Sequence, residues 1–292
     1  MIIGALEAGG TKMVCAIGNE KGEILEQVSI PTDSPEVTMP QIIEYFKGKG
    51  IEALGIGCFG PIDLNKNSDT YGYITSTPKI KWRNYNIVGA MKEALGVPVG
   101  FDTDVNGSCL GEVTFGCAKG LENVIYITIG TGVGVGVFSN GKLLHGMMHP
   151  EGGHILLVRH PEDAYSGKCP YHGCCLEGMA AGPAIEERWG AKAYTLKDHD
   201  KVWELEAFYI AQALINYIYT YSPEKIILGG GVMHQEQLFE LIRAKVQELN
   251  KGYVSTKEMD DLDHYIVPAS LNDDQGIMGA IELGVQALNQ KL

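Results

Sequence analysis

No long hydrophobic run occurs anywhere in the sequence. Nothing approaches the roughly 20 apolar residues of a membrane span, and Met1-Ile-Ile-Gly4 lacks the basic region and apolar stretch of a signal peptide. A soluble cytoplasmic protein with no membrane partner is therefore expected. Positive charge is scarce as well. Against 36 Asp and Glu there are 23 Lys and Arg, a net charge of −13, so no broad positive field exists to collect nucleic acid. A phosphate-bearing ligand would have to be gripped locally.

Low-complexity tracts and Pro-rich or Ser-rich linkers are also missing, so the chain should be folded throughout. Two common phosphate-binding signatures are absent. There is no Gly-x-x-x-x-Gly-Lys-Ser/Thr loop, and no Gly-x-Gly-x-x-Gly follows the first apolar run and opens a helix. Walker-type and Rossmann folds are disfavoured accordingly. The cysteines form no disulfide framework: there are 7, and Cys15, Cys58, Cys109 and Cys117 are scattered through apolar segments as expected of reduced core residues.

What is present begins with length. At 292 residues the chain exceeds one typical domain of about 100–200 residues, which makes two lobes a reasonable expectation. Ile2–Leu6 and Met13–Ile17 are short apolar runs joined by Glu7-Ala-Gly-Gly-Thr-Lys12, and Glu23–Ile30 follows a turn at Asn19-Glu-Lys-Gly22. The same order recurs later. Val124–Ile129, a turn at Gly130-Thr-Gly132, Val133–Phe138, a turn at Ser139-Asn-Gly141 and Lys142–Leu144 repeat it, pointing to a duplicated α/β fold with a mixed sheet in each copy.

Between the copies, helices are predicted over Pro40–Lys49 and Tyr85–Leu95, and strands over Ala53–Cys58 and Val97–Phe101. The second half reads as helix over Met179–Trp189 and Val202–Tyr221, strand over Lys225–Leu228, helix over Gln235–Leu249, strand over Tyr265–Pro268 and a closing helix. Topology places a lobe boundary near Phe115–Leu121, giving lobes of residues 1–115 and 116–275. The C-terminal helix, about 276–292, is expected to pack back on the first lobe.

Three turns have phosphate-handling character: Gly9, Gly10, Thr11 and Lys12; Gly130 to Gly132; and Gly229, Gly230 and Gly231. Glycine lets backbone N–H groups approach an anion without a Cβ in the way, and Thr and Lys add donors. One Gly-Gly turn alone is commonplace, whereas three together point to a nucleotide. Asp104 follows an apolar strand, where α/β sheets present ligands, and is the candidate carboxylate to accept a proton from a substrate hydroxyl; helix N-capping is its plainer role. Asp102 reads as a capping or solvated residue.

Cys169-x-x-His172-x-x-Cys175 places three soft or borderline ligands on one tight segment, and His154 upstream completes a tetrahedral set, so a structural zinc is expected within loop 154–175. Cys174 lies beside Cys175, and spacing alone leaves either thiol as the ligand. His145, His149 and His160 read as loop or structural histidines, and the Tyr and Ile pattern over Gln212–Tyr221 reads as core.

Glu7-Ala-Gly-Gly-Thr-Lys12, Asp102-Thr-Asp104-Val-Asn106, Ile129-Gly-Thr-Gly-Val-Gly134, Glu151-Gly-Gly-His154 and Leu228-Gly-Gly-Gly231, in this order across nearly the whole chain, resemble the ROK family of sugar kinases and repressors. The spelling of the first motif and Cys169-Pro-Tyr-His-Gly173 resemble its bacterial zinc-containing fructokinase branch. That resemblance implies two ribonuclease-H-like, actin-like ATPase lobes with ATP and Mg2+ between them, closing over substrate, and a homodimer. It implies ATP-dependent phosphorylation of a hexose, with fructose going to fructose 6-phosphate. It assigns Asp104 as general base, Asn106, Glu151, His154 and Glu177 to the sugar, and Cys175 rather than Cys174 to the zinc. Nucleotide contacts implied are Gly9, Gly10, Thr11, Lys12, Thr131, Gly132, Gly182, Pro183 and Gly229 to Gly231.

Glu7 departs from the Asp usual in the family at a position that helps place the metal of Mg-ATP. Glucose, mannose, N-acetylmannosamine and allose are alternative hexoses, and a non-catalytic sugar sensor is an alternative function. A repressor is not expected, because the first strand begins at Ile2 with no DNA-binding segment before it.

Overall fold

Glycine-rich strands and a glycine-bearing C-terminal helix decide how the layers of this protein stack. The computed structural model describes residues 1–290, so the last two positions of the predicted 276–292 helix lie outside the described residues. Along the chain come β1 (Ile2–Ala8), β2 (Lys12–Asn19), β3 (Ile24–Pro31), α1 (Pro35–Phe46), β4 (Ala53–Cys58), the short β5 (Tyr73–Ile74) and β6 (Tyr85–Asn86), α2 (Ile87–Leu95), β7 (Val99–Thr103) and α3 (Asp104–Thr114). Then follow β8 (Val124–Ile129), β9 (Val133–Ser139), β10 (Lys142–Leu143), α4 (Leu176–Ala180), α5 (Gly182–Trp189), α6 (Asp200–Tyr221), β11 (Lys225–Gly229), α7 (Gln237–Asn250), α8 (Lys257–Asp260), α9 (Leu262–Tyr265), β12 (Ile266–Pro268) and α10 (Gln275–Asn289).

The chain groups into two compact units. One holds Met1–Gly120, Leu143–Pro150 and Ser270 onward, and the other Leu121–Lys142 and Glu151–Ala269. Relative to a cut at 115/116, the first unit extends a few residues further and takes in 143–150 and the stretch leading into α10. In the first unit the sheet order is β3-β2-β1-β4-β7, with β1 antiparallel to β2 and parallel to β4. In the second it is β10-β9-β8-β11-β12, with β8 antiparallel to β9 and parallel to β11. The two mixed sheets share one topology, as the repeated strand pattern requires.

Alternation along the strands divides the first unit's core. Leu6 and Ala8 of β1 and Leu54, Ile56 and Cys58 of β4 pack with Ile42 and Phe46 of α1, Trp82, and Met91 of α2. Ile3 and Ala5 of β1 and Ala53 of β4 face the other way, against Ile277, Ala280 and Ile281 of α10. On that second face the backbones nearly touch. A Cβ on Gly55 would stand 1.7 Å from the Ala280 carbonyl oxygen, and one on Gly279 would stand 1.7 Å from the Gly107 carbonyl oxygen. In the second unit, Ala213, Leu214, Tyr217 and Ile218 of α6 are buried but Tyr219 and Tyr221 are exposed, so the Tyr and Ile pattern over Gln212–Tyr221 is core on one face of the helix only.

Three local expectations change. α1 begins at Pro35 rather than Pro40, because Pro35 takes the first-turn position that suits proline, and Pro40 lies inside the helix on its exposed face, forgoing one backbone hydrogen bond. Met179–Trp189 is two helices rather than one. Ala181 is extended (φ −68°, ψ 152°), and the Gly182 N–H donates to the Gly130 carbonyl at 2.8 Å instead of continuing α4. Cys15, Cys58 and Cys109 are buried, but Cys117 is exposed beyond the end of α3, where chain leaving the helix meets solvent. None of the described helices is long and apolar enough to cross a membrane.

The α10 contact yields a stability prediction. Gly279→Ala should lose about 2–4 kcal/mol in urea unfolding, since backbone rather than a flexible side chain blocks the added methyl, whereas the exposed Glu93→Ala should change stability by about 0.5 kcal/mol or less. Equal stability of the two variants would contradict the packing described.

Candidate active site

In the first unit, the C-terminal ends of β1 and β7 carry the acidic residues, and the end of β4 lies between them. Glu7 pairs in register with Gly57 of β4, and a Cβ on Gly57 would stand 3.4 Å from the Asp104 Cα. No side chain on β4 therefore separates Glu7 from Asp104. Thr103, not Asp104, is the N-cap of α3: its hydroxyl accepts from the Asn106 N–H at 3.1 Å, leaving Asp104 as the first residue of the helix. The Val105 N–H donates to Asp104 Oδ1 at 2.8 Å. Burial nevertheless raises the Asp104 carboxyl above the usual carboxylate range, against the pull of backbone N–H groups.

Glu7 is pushed up to about 7, first by burial and then by the charge of Asp104, with Asp274 and Asp273 adding to the effect and Lys12 opposing it. The turn after β1 is tied by the Gly9 N–H to the Lys12 carbonyl at 3.1 Å and by the Thr32 hydroxyl to the Gly9 carbonyl at 2.8 Å. Thr11 and Lys12 are exposed beside it.

Asp102 is neither a cap nor solvated. Its side chain is 4% exposed and lies 2.8 Å from His145 Nε2 through Oδ2, while Oδ1 accepts from the Asn106 Nδ2 amide at 2.7 Å and the Thr103 N–H at 2.8 Å. Asn106 is buried with it. The sequence held no sign of this pairing, because His145 and Asp102 meet only through the fold. His149 is also structural, its Nε2 accepting from the Ile62 N–H at 3.2 Å, and the His160 N–H is directed at the Tyr209 hydroxyl.

In the second unit, the turn around Thr131 and Gly132, the start of α5 at Gly182-Pro183, and Gly229 to Gly231 come together. The Gly182 N–H bonds the Gly130 carbonyl, and a Cβ on Gly230 would stand 2.6 Å from the Ile129 carbonyl oxygen. Glu177, in the first turn of α4, accepts from the Val133 N–H at 3.0 Å through Oε2, and its Oε1 lies 4.0 Å from His154 Nε2. Glu151 is exposed at the head of the turn Gly152–His154. That turn lies directly on β9: a Cβ on Gly153 would stand 1.9 Å from the Val133 carbonyl oxygen, and the Tyr217 hydroxyl donates to the Gly152 carbonyl at 2.7 Å.

His154, Cys169, His172 and Cys175 offer donor atoms that all lie within 4.8 Å of one another. His154 Nδ1 is 3.8 Å from Cys169 Sγ and 3.6 Å from Cys175 Sγ, and Cys169 Sγ is 3.6 Å from His172 Nδ1. Cys174 points elsewhere, its Sγ lying 3.5 Å from the Leu157 carbonyl oxygen. Cys175 instead caps α4, its sulfur accepting from the Gly178 N–H at 3.3 Å. Burial pushes the Cys175 thiol up to about 11.

Three comparisons with known proteins bear on this arrangement. The model of the ROK family matches residues 3–287. A Bacillus subtilis (strain 168) protein is 52% identical over 288 residues, covering 98% of this chain and 96% of its own length. A Pediococcus pentosaceus protein named fructokinase is 46% identical over 288 residues, covering 99% of each chain. Among solved structures, the ROK family glucokinase from Streptomyces griseus in complex with glucose and AMPPNP is similar with a TM-score of 0.74 and 25% identity, over 98% of this chain and 100% of that one.

Glu7 gives the site a pH signature. A carboxyl raised from 4.5 to about 7 favours the fold fully below pH 4.5, and that contribution is lost as pH rises through 7. Glu7→Gln, which cannot ionise, should therefore gain thermal stability relative to wild type between pH 5 and pH 8 in the absence of ligand, by up to roughly 3 kcal/mol. Melting curves that shift in parallel across that range would contradict it.

Proposed function

The chain belongs to the ROK family, and from that premise we infer that it is an ATP-dependent sugar kinase that converts fructose to fructose 6-phosphate. Near-complete alignment with a fructokinase at 46% identity carries the choice of substrate. The half-buried Asp104 at the strand ends carries the chemistry.

Phosphoryl transfer to a hydroxyl asks the protein for positioning, charge stabilisation and a proton acceptor, and little else. In this reading Asp104 is the proton acceptor. The Val105 N–H occupies Oδ1, which leaves Oδ2 for the sugar hydroxyl, and burial makes the carboxylate a stronger base than a solvated aspartate. Glu151, Glu177 and the Nε2 edge of His154 read sugar hydroxyls, since a site of fixed acceptors and donors penalises analogues that leave them unpaired. Asn106, whose Nδ2 donates to Asp102, offers its buried, unpartnered Oδ1.

The turns Gly9 to Lys12, Thr131 and Gly132, Gly182-Pro183 and Gly229 to Gly231 are the proposed nucleotide contacts, through backbone N–H groups. Mg2+ bound with ATP supplies positive charge to the phosphates. Glu7 and Asp104 fit such an ion, because burial raises both carboxyls and the charge of Asp104 adds to the rise at Glu7, a penalty that a cation beside them would relieve. Glu7 reaches further than aspartate, and its carboxyl lies against Gly276 at the start of α10.

Zinc fits the cluster of His154, Cys169, His172 and Cys175. Tetrahedral coordination with Zn–S near 2.3 Å and Zn–N near 2.0–2.1 Å sets sulfur and nitrogen about 3.5 Å apart, against the 3.6–3.8 Å found here. Bound there, the ion supplies a closed structural crosslink and drives the buried thiols to thiolates. His154 would use Nδ1 for the metal and keep Nε2 toward Glu177, so the loop's stiffness is passed to the sugar-reading carboxylate.

Two measurements test these assignments. ADP release with Mg-ATP across a hexose panel should be strongest on fructose, and Asp104→Ala should lower kcat by about 10²–10⁴-fold; turnover near wild type in that variant would remove Asp104 from the mechanism. Metal analysis of purified protein should find zinc in the wild type and in Cys174→Ser, and little in Cys175→Ser. Equal zinc in both variants would overturn the ligand set.

A further inference from the structure

Asp102 and His145 form a pair that the kinase chemistry described so far leaves unused. A carboxylate whose side chain is 4% exposed is costly to bury, and here it is satisfied by three donors: the Thr103 N–H, the Asn106 amide and His145 Nε2. A strut between segment 143–150 and the end of β7 would not need a charge. The partner ring, moreover, is not buried, with 39% of the His145 side chain exposed. An imidazole held at one nitrogen by a buried carboxylate has its ring plane and proton positions fixed, and it presents the other nitrogen outward as a preset donor.

Two further observations place this donor where a substrate belongs. Asp102 and Asn106 flank Asp104 in the chain, one on the strand end and the other on the first turn of α3. Because an ionised carboxylate only accepts, the bond to Asp102 must come from Asn106 Nδ2, which turns Asn106 Oδ1 the other way. That oxygen is buried and has no hydrogen-bond partner among the described residues, an acceptor awaiting a donor.

We propose that His145 is a further sugar-reading residue, donating from Nδ1–H to a hydroxyl oxygen of the hexose, with Asp102 as the positioning residue that fixes its ring and the polarity of the Asn106 amide. This rests on the reading of the chain as a sugar kinase. Hydrogen bonding to Asp102 raises His145 above its usual 6.5, against burial, so the ring carries both protons more readily than a free histidine. His149, on the same segment, is lowered by burial and accepts at Nε2, so the two rings are set to opposite tasks.

The test is calorimetric binding to the full chain of the hexose that wild type binds most tightly, together with a series of its singly deoxygenated analogues. It is run on wild type, His145→Gln and Asp102→Asn, with kcat and both KM values measured alongside. Both variants should weaken the sugar by about 10–100-fold, the scale of a lost hydrogen bond to a charged group. They should also flatten the penalty for one particular deoxy analogue and move KM for ATP by less than about threefold. Unchanged sugar affinity and analogue ranking in His145→Gln would overturn the proposal. So would a uniform loss of sugar affinity, kcat and melting temperature, which marks a strut. Wild type that releases no ADP with any hexose would sink the kinase reading itself, and the binding series would still decide the role of His145.

Discussion

The backbone of α10 lies directly against β4, β7 and α3, and the placement of the acidic site follows from that approach. Gly55 and Gly100 on the strands and Gly279 on the helix have no room for a methyl group, each facing a carbonyl oxygen at 2.1 Å or less from an added Cβ. Packing this close leaves the start of α3 against the end of β4, with Gly57 as the spacer between Glu7 and Asp104. Burial raises both carboxyls, and the charge of Asp104 adds to the rise at Glu7.

The second unit meets the same need for rigidity by other means. Its turn Gly152–His154 is pressed onto β9 and held by the Tyr217 hydroxyl, and the side chains of His154, Cys169, His172 and Cys175 gather at the head of α4, their donor atoms within 4.8 Å of one another. Cys175 belongs to both devices, as N-cap and as cluster member. The Val133 N–H holds Oε2 of Glu177, and His154 Nε2 lies 4.0 Å from its Oε1.

Much of this was legible in the sequence where local pattern and fold agree. The continuous apolar run Ala53–Cys58 is β4 residue for residue, and the repeat of strand, glycine turn and strand is the shared topology of the two sheets. The clustering of Cys169, His172 and Cys175 was readable because residues on one tight segment need no distant part of the fold to meet. Spacing could not separate Cys174 from Cys175, since adjacent residues differ only in direction, and direction is set by the capping of α4. The break at Ala181 was hidden because a tertiary bond from Gly182 to Gly130 competes with the helix. The Asp102–His145 pair was invisible for a similar reason: two polar residues far apart in the chain give no local signal of their meeting.

Phosphorus and carbon NMR of the full chain incubated with Mg-ATP and fructose tests the functional reading most directly, because it identifies the product rather than the loss of substrate. ADP and fructose 6-phosphate in equal amounts are the expected result. ADP without a sugar phosphate, or phosphate on any other carbon of fructose, would contradict it.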